Sequence, residues 1–348
     1  MMQNFKSVAI CIPTYNQAKY LAESVGSACK QTYCKVEVWV SDDASTDETP
    51  EVMEKLCQTF PDIHYYRQPK NLGIAGNNTW LLDQPKTDFI VRLDSDDVLK
   101  SNYVQTLVAL LEKYPEAGYA HAAVEEINEH GQSQGVRRLA RQEEYRSPNK
   151  ELKAAVSGFR MAANITMFRS KVLYQLSIYE GRPEFVEDYD LIVRMADAGY
   201  GNVYSNEILG CYRVWTDAKA VRPKRKALEL KGLTRIYEES LLPAFKRRNW
   251  DTKPIEQQRR RLALIHAPFC FRPLFTKAER VELIALLKEL GDSPALNLRL
   301  FALRCGLGSL FEWQYATEIK LKRLIKDWIS SLQKAVTYPS NQQRRYFN

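Results

Sequence analysis

Short apolar runs alternate with segments of helical periodicity over the first third of the chain. The runs cover residues 7–12, 36–40, 63–67 and 87–93. Each has the length and apolar content of a strand buried in a sheet, whereas the spacing of Leu21, Val25 and Ala28 predicts a helix between the first two runs. Strand and helix alternate four times. The pattern therefore predicts an α/β fold with βαβ units and a mostly parallel sheet flanked by helices.

The pattern is less regular after residue 115. Residues 116–126 and 208–215 predict two more strands, and apolar structure resumes at residues 161–168. Residues 128–150 are polar and charged, and we expect a mobile flap because loops of this length without structure are uncommon. Glu187 and Asp188 stand where a helix begins, since apolar residues at helical spacing follow them.

Three carboxylates directly follow the fourth predicted strand. Asp94, Asp96 and Asp97 lie within four residues. Ligands of open α/β sheets collect beyond the carboxyl ends of strands, so these acids are expected to face a crevice. A divalent cation such as Mg²⁺ or Mn²⁺ relieves their mutual repulsion and brings charge to a phosphate. The alternative is a solvated turn that only caps the next helix.

Polar residues also end the first two predicted strands, at residues 14–16 and at Asp42 and Asp43. In a parallel sheet these ends lie side by side. No G-x-G-x-x-G follows the first strand and no G-x-x-x-x-G-K-[ST] occurs in the chain, which argues against a dinucleotide-binding or P-loop protein. Any phosphate bound here would need a metal in place of a glycine-rich loop.

Charge is divided unevenly along the 348 residues. Residues 1–220 carry 24 Lys/Arg and 30 Asp/Glu, whereas residues 221–348 carry 26 and 12, within a net charge of +8. The basic half is expected to face phosphates, nucleic acid or an anionic membrane. Seven cysteines without a C-x-x-C pair predict buried free thiols in a reducing compartment. With no signal peptide and no window of 18 uncharged apolar residues, we expect a cytoplasmic protein.

Several of these motifs together resemble family 2 glycosyltransferases of the GT-A fold. In order, they are residues 13–16, 42–47, 71–73, 94–97, 187–188 and 212–213. The resemblance covers residues 5–215. It implies a GT-A catalytic domain over residues 1–220, with a nucleotide-sugar half of about 1–115 and an acceptor half of about 116–220. It also implies inverting, metal-dependent transfer of a sugar from a nucleotide diphosphate.

The resemblance implies roles residue by residue. Asp188 would be the general base, with Glu187 as its near alternative. The metal, Mg²⁺ or Mn²⁺, would be held by Asp94, Asp96 and Asp97. The nucleotide-sugar would be bound by Pro13, Thr14, Tyr15, Asp42, Asp43, Asn71, Gly73, Asp94, Ser95, Asp96 and Arg213. Two positions depart from the pattern: Asn77–Asn78 and Trp215 stand where many relatives have Arg and His.

The chemistry of the residues agrees with these roles. Displacement at an anomeric carbon needs a stabilised leaving group, which a metal on the pyrophosphate supplies. It also needs an acceptor hydroxyl relieved of its proton, which a carboxylate supplies. One base attacking opposite the leaving group inverts the anomeric centre, so no second catalytic carboxylate is required.

Residues 221–348 lie outside the resemblance and are predicted to be a basic, helical C-terminal region. Within residues 317–336, a stripe of apolar residues including Ile325 and Trp328 faces away from lysines and arginines. Such a helix can lie on an anionic membrane. The alternative is a helix packed on the catalytic domain. Nucleic acid is the least favoured partner, because no binding motif accompanies the charge.

The favoured function is transfer from a UDP-sugar to a saccharide or lipid-linked glycan acceptor, in assembly of bacterial surface polysaccharide or lipopolysaccharide. One alternative is a sugar-phosphate nucleotidyltransferase, although its glycine-rich, Lys/Arg-bearing first loop is not matched by residues 13–16. The other is a non-catalytic basic protein that binds anions or nucleic acid.

Overall fold

The computed structural model describes residues 5–141, 143–158, 165–177, 186–214 and 225–307. The chain divides into two compact units, residues 1–259 and residues 260–348. The first unit thus extends past the domain boundary predicted at residue 220, which itself lies outside the described residues. A division of function at that boundary stays a prediction.

The first part of unit one alternates strands and helices as predicted. Its elements are β1 (Val8–Thr14), α1 (Ala18–Cys29), β2 (Val36–Asp42), α2 (Thr49–Thr59), β3 (Ile63–Arg67), α3 (Gly73–Asp83), β4 (Phe89–Leu93), β5 (Val98–Leu99) and α4 (Tyr103–Lys113). Strand β1 pairs in parallel with β2 and β4, and β2 pairs in parallel with β3. The predicted parallel βαβ arrangement is confirmed.

The second part adds strands of both directions. Its elements are β6 (Ala117–Ile127), β7 (Ser133–Arg137), β8 (Tyr145–Arg146), α5 (Pro148–Ala155), β9 (Ile165–Arg169), α6 (Ser170–Gln175), α7 (Glu187–Asp197) and β10 (Gly201–Arg213). Strand β9 is antiparallel to both β4 and β6, and β10 is parallel to β6. Along the sheet the order is β3-β2-β1-β4-β9-β6-β10-β5. Strand β4 therefore lies inside the sheet, where it joins the parallel half to β9.

The flap predicted at residues 128–150 is wrong. Strand β7 pairs with β6, β8 pairs with β10, and α5 begins at Pro148. The polar composition is misleading here because the charged side chains have partners within the protein. Arg137 forms an ion pair of 2.6 Å with Glu126, and Arg141 donates a 2.7 Å hydrogen bond to Asn202. Strand β10 also begins at Gly201, earlier than the predicted residue 208, so it lies along most of β6.

Apolar side chains cover both faces of the sheet. One cluster packs α1, α2 and α4 against β1, β2 and β4, and another includes Leu81, Leu173 and Leu191 from the helices of the opposite face. The cysteines are free, but the prediction that all are buried is wrong. Cys34 and Cys305 are exposed, and Cys29 and Cys57 are half-buried.

The described residues after β10 are helical, as predicted. They form α8 (Lys226–Arg235), a π-helical segment (Ile236–Leu241), α9 (Leu242–Arg247), α10 (Lys253–His266), a 3-10 segment (Ala267–Phe271), α11 (Lys277–Gly291) and α12 (Pro294–Arg304). The amphipathic stretch at residues 317–336 lies outside the described residues. Within the described ranges, every helix is too short or too polar to cross a membrane.

Candidate active site

The site begins at the carboxyl end of β4, where a buried arginine lies between two acids. All five residues of β4 are buried, and Arg92 is among them. Its Nε and Nη2 atoms each lie 3.2 Å from Asp94 Oδ1. Its Nη1 atom donates to Asp188 Oδ1, although 96 residues separate the two in sequence. The structure thus brings the predicted base beside the predicted metal acids.

The loop of residues 94–97, here called the acid loop, is fixed by Arg213 at the end of β10. The Arg213 backbone N–H donates to Asp97 Oδ1 at 2.8 Å, and its Nε donates to the Asp96 carbonyl at 2.8 Å. The remaining guanidinium nitrogens bind the Asn128 carbonyl at 2.9 Å and Glu23 at 2.7 Å. Arg213 is predicted to bind donor, and the described contacts of its side chain are with other residues of the protein.

Burial and mutual repulsion raise the pKa values of two acids in the loop. Burial raises the pKa of Asp94 to about 6, with Asp96 and Asp188 adding to the rise and Arg92 opposing it. Burial, followed by the charges of Asp96 and Asp94, raises the pKa of Asp97 well above its ordinary value. Ser95 between them is buried as well. The loop therefore holds negative charge at a cost that a bound cation would relieve.

At the end of β1, beside β2, lie three of the residues predicted to bind the nucleotide-sugar. Pro13 and Thr14 pair in register with Ser41 and Asp42. Thr14 is buried, and its hydroxyl has no protein partner among the described residues. Tyr15, the next residue, is 46% exposed. This edge therefore offers an unpaired hydroxyl and an accessible aromatic ring, both of which suit a nucleoside.

Asp42 and Asp43 are both buried and both hold loops. The Asp43 carboxylate accepts from the backbone N–H groups of Leu72 and Gly73 at 2.6 and 2.9 Å. Asn71 donates to the Asp43 carbonyl at 3.2 Å, so the whole 71–73 turn is tied to the end of β2. Gly73 has a φ of 76°, which glycine adopts without strain.

The Asp42 carboxylate also serves the protein around it. It accepts from the Ser45 backbone N–H at 2.9 Å and from the Tyr65 hydroxyl at 3.3 Å, and Arg67 Nε lies 3.4 Å away. These contacts fix the loop after β2. A carboxylate offers about four lone-pair sites, so these bonds do not occupy every acceptor site of Asp42 or Asp43.

The acids of α7 differ in environment. The Asp188 side chain is 22% exposed, whereas Glu187 accepts from the Val186 backbone N–H at 3.1 Å. Burial raises the pKa of Glu187, Asp188 adds to the rise, and Arg92 opposes it. Val186 has a φ of 108°, a conformation unfavourable for a β-branched residue and of a kind concentrated at functional sites. The acid of this pair that Arg92 holds beside the acid loop is Asp188.

The residues fit a divalent cation only with help from a substrate. Among the described residues, no group of three or more His, Cys, Asp or Glu side chains is arranged to hold a metal. Asp97 Oδ1 is committed to Arg213, and its buried Oδ2 has no partner in the described part of the chain. Mg²⁺ is commonly held by one or two carboxylates together with substrate phosphates, and the acid loop supplies the carboxylates for such a site.

Sequence reasoning missed several residues that build the site. Arg92 lies within a run predicted to be an apolar strand, and a cation inside such a run is itself the signal that an acid lies nearby. Asp190 is buried and bound by Arg194 at 2.7 Å and by Ser240 at 2.7 Å, which fixes α7. No local pattern pointed to Glu23 or Ser240, because their partners are distant in sequence.

Comparison with known proteins gives the family of this domain. Residues 9–175 match the family model described as Glycosyl transferase family 2. Glycosyltransferase GlyG of Streptococcus pneumoniae is 32% identical over 29% of this chain and 33% of its own length. A Campylobacter jejuni GalNAc(5)-diNAcBac-PP-undecaprenol beta-1,3-glucosyltransferase is 35% identical over 33% of this chain and 36% of its own length. The chain thus spans about a third of these relatives.

Solved structures agree on the fold. A Staphylococcus aureus TarS fragment, residues 1–349, has a TM-score of 0.59 at 15% identity and covers 82% of this chain and 80% of its own; it is also solved with UDP-GlcNAc. Mannosyltransferase PcManGT of Pyrobaculum calidifontis, with GDP-Man and Mn²⁺, has a TM-score of 0.53 at 19% identity and covers 87% and 81%. The fold is of the GT-A type, and residues 9–175 of this chain belong to glycosyl transferase family 2.

Proposed function

We propose that this protein is an inverting glycosyltransferase that moves a sugar from a nucleotide-diphosphate donor to a hydroxyl of a saccharide or lipid-linked glycan. One observation carries the proposal: Arg92 brings the acid loop and Asp188 together from separate parts of the chain. Acids placed at a sheet edge suit a metal-bound diphosphate, and an accessible carboxylate beside them suits an acceptor hydroxyl.

The donor would lie across the ends of β1, β2 and β4. Thr14 and Tyr15 would contact the nucleoside, because one offers an unpaired hydroxyl and the other an exposed ring. Asp42 and Asp43 would act chiefly by holding their loops, and Asp43 would fix the 71–73 turn. Asp94 and Asp96 would hold Mg²⁺ or Mn²⁺ together with donor phosphates. That metal would neutralise charge developing on the leaving diphosphate.

Asp188 would be the base. The acceptor oxygen forms a bond to the anomeric carbon while the bond from that carbon to the diphosphate oxygen breaks, and the leaving diphosphate takes the electron pair. The acceptor proton passes to the Asp188 carboxylate. Glu187 is the less suitable candidate because its carboxylate accepts from the backbone N–H of Val186, whereas Asp188 is bound by Arg92 beside the acid loop. Attack opposite the leaving group inverts the sugar carbon.

The donor base and the acceptor are proposed from relatives. The solved TarS complex contains UDP-GlcNAc, and the C. jejuni relative is named for an undecaprenol-linked acceptor. We therefore propose a UDP-sugar donor and a lipid-linked glycan acceptor in surface polysaccharide or lipopolysaccharide assembly. Contact of residues 317–336 with an anionic membrane would bring the enzyme to such an acceptor, and this part rests on sequence alone.

The test is a screen of UDP-glucose, UDP-galactose, UDP-GlcNAc, UDP-GalNAc and GDP-mannose with Mn²⁺. A ligand that binds only the native state raises the melting temperature by mass action. The donor that protects is then incubated with octyl glycosides of four sugars, and the product is analysed for anomeric configuration. Protection followed by an inverted product supports the proposal. Protection without transfer, but with nucleotidyl exchange on a sugar phosphate, would favour the nucleotidyltransferase alternative.

A further inference from the structure

Arg92 places a positive charge inside a buried strand, where charged side chains are rare. It lies in the middle of the sheet, on a strand whose five residues are all buried, and its side chain is only 5% exposed. An unpaired charge there would be strongly unfavourable, and a buried ion pair alone rarely adds stability compared with apolar residues of similar volume. The presence of Arg92 at this point is therefore better explained by the two acids that it binds than by a contribution to folding.

Its guanidinium holds one acid from each half of the site. The Nε and Nη2 side of the fork faces Asp94, and Nη1 faces Asp188. Arginine can do this because its five donors are arranged in a rigid plane, whereas a lysine ammonium is a single point charge. The two carboxylates repel each other, since Asp188 raises the pKa of Asp94, and the cation bound to both opposes that repulsion.

The first turn of α7 is also tied to a segment outside the sheet. Asp190 accepts from Ser240 at 2.7 Å, which ties the helix to the π-helical segment. At the site itself, Arg92 ties the first turn of the helix to the sheet through Asp188. Since β4 pairs with both β1 and β9, its end is a rigid reference point for the position of Asp188.

We propose that Arg92 is a positioning residue for the transfer reaction, one that sets Asp188 at a fixed distance from the donor-side acids. The inference rests on the proposed function. Effective attack needs reacting groups placed to within a fraction of an ångström, and a misplacement of 1 Å can cost on the order of 10²-fold in rate. Arg92 acts through Asp188, and its loss should impair the chemical step more than the binding of donor.

The test is a kinetic double-mutant cycle of Arg92→Met and Asp188→Asn. We expect Arg92→Met to lower kcat on the order of 10²-fold, with KM for the donor and Mn²⁺-dependent affinity for UDP changed only a few-fold. In the Asp188→Asn background, Arg92→Met should lower kcat little further, because residues that act as a unit are not additive. Arg92→Lys should fall between wild type and Arg92→Met, since it keeps the charge and loses the fork.

A matched control is Arg169→Met. Arg169 is half-buried in the neighbouring strand β9 and donates to main-chain carbonyls, including that of Ala117 at 2.7 Å. It should lower the melting temperature with kcat per folded molecule unchanged. The same cycle measured by urea unfolding without metal should show coupling between Arg92 and Asp188, which reports their contact independently of activity.

Three results would overturn the inference. If the double variant lost kcat by the product of the two single losses, Arg92 would act independently of Asp188. Loss of UDP affinity as large as the loss in kcat would make Arg92 a donor-binding residue. Equal effects of Arg92→Met and Arg169→Met on kcat would leave only a folding role. If instead wild-type protein binds no nucleotide-sugar and transfers none, the proposed function fails first, and the positioning role fails with it.

Discussion

The guanidinium of Arg213 lies 2.7 Å from the carboxylate of Glu23, although 190 residues separate them. The same guanidinium plane covers the ring of Tyr20 at 4.5 Å and reaches the carbonyls of Asp96 and Asn128. The last residue of β10 thus joins the first helix, the acid loop and the turn after β6. Arg213 therefore fixes the acid loop, which is the proposed donor side of the site.

Replacing Arg213 should therefore loosen the acid loop. We expect Arg213→Gln to lower the free energy of unfolding by roughly 2 kcal/mol, because carbonyl and carboxylate partners lose their donors while the backbone bond to Asp97 survives. Mn²⁺-dependent UDP affinity should fall as well. Urea unfolding and calorimetric titration measure the two effects. Arg235→Gln, which breaks an exposed pair with Glu239 at 3.1 Å, is the control and should change neither.

Metal dependence should reside in Asp96. Asp96→Ala removes a carboxylate of the acid loop and should abolish the Mn²⁺-dependent part of UDP binding, with the fold intact by circular dichroism. The measurement is UDP affinity with Mn²⁺ and with EDTA. An Asp96→Ala protein whose UDP affinity still rises with Mn²⁺ would contradict the metal assignment. Glu48→Ala, on the loop before α2, removes an acid outside the loop and serves as the control.

The buried ring of His121 should make the fold sensitive to acid. Burial lowers the pKa of His121 well below its ordinary value, with nearby Arg141 adding to the effect and Asn202 opposing it. Below about pH 6.5, His121 is therefore protonated in the unfolded chain but stays neutral in the folded chain. The free energy of unfolding consequently falls as the pH falls through that value.

The loss assigned to His121 should reach roughly 1 kcal/mol between pH 7 and pH 5.5. Urea unfolding of wild type and His121→Gln at both pH values measures it. The variant should be less stable at pH 7 but should lose less on acidification. An identical loss in the two proteins would mean that other groups account for the acid sensitivity.

The basic stretch at residues 317–336 leads to a separate prediction. Replacing Lys320, Lys322, Arg323 and Lys326 with Gln should release the protein from anionic vesicles, since each basic residue near such a surface contributes about 1 kcal/mol. Transfer to a soluble octyl glycoside should be unchanged. Sedimentation with vesicles of anionic and of neutral lipid measures binding. If wild-type protein fails to sediment with anionic vesicles at low salt, the membrane proposal is wrong.

Much of the fold could be predicted because its signals are local. The four apolar runs and the helical spacing between them are visible within windows of about a dozen residues, and parallel pairing follows from their alternation. The error at residues 128–150 has the opposite cause. Arg137 and Arg141 resemble solvated charges in the sequence, and only the pairing of strands brings them to their partners Glu126 and Asn202.

The candidate site divides in the same way. Acids at strand ends could be predicted, because the end of a parallel strand is a binding edge in any such sheet. Which acid is held by which cation could not, since Arg92 and Asp188 are 96 residues apart and Arg213 and Glu23 are 190 apart. Asp43 and Arg213 illustrate the difference. Both are predicted from the sequence to contact donor, and in the structure both make strong contacts with other residues of the protein.

The central claim is that Asp188 takes the acceptor proton in a sugar transfer, and the most direct measurement compares Asp188→Asn with Glu187→Gln. The amide keeps the shape of the side chain but cannot accept the proton. We predict that Asp188→Asn binds UDP with Mn²⁺ as wild type does and transfers sugar at most at 1% of the wild-type rate, on the order expected for loss of a general base, while Glu187→Gln keeps most activity. Transfer abolished by Glu187→Gln and preserved in Asp188→Asn would contradict the account.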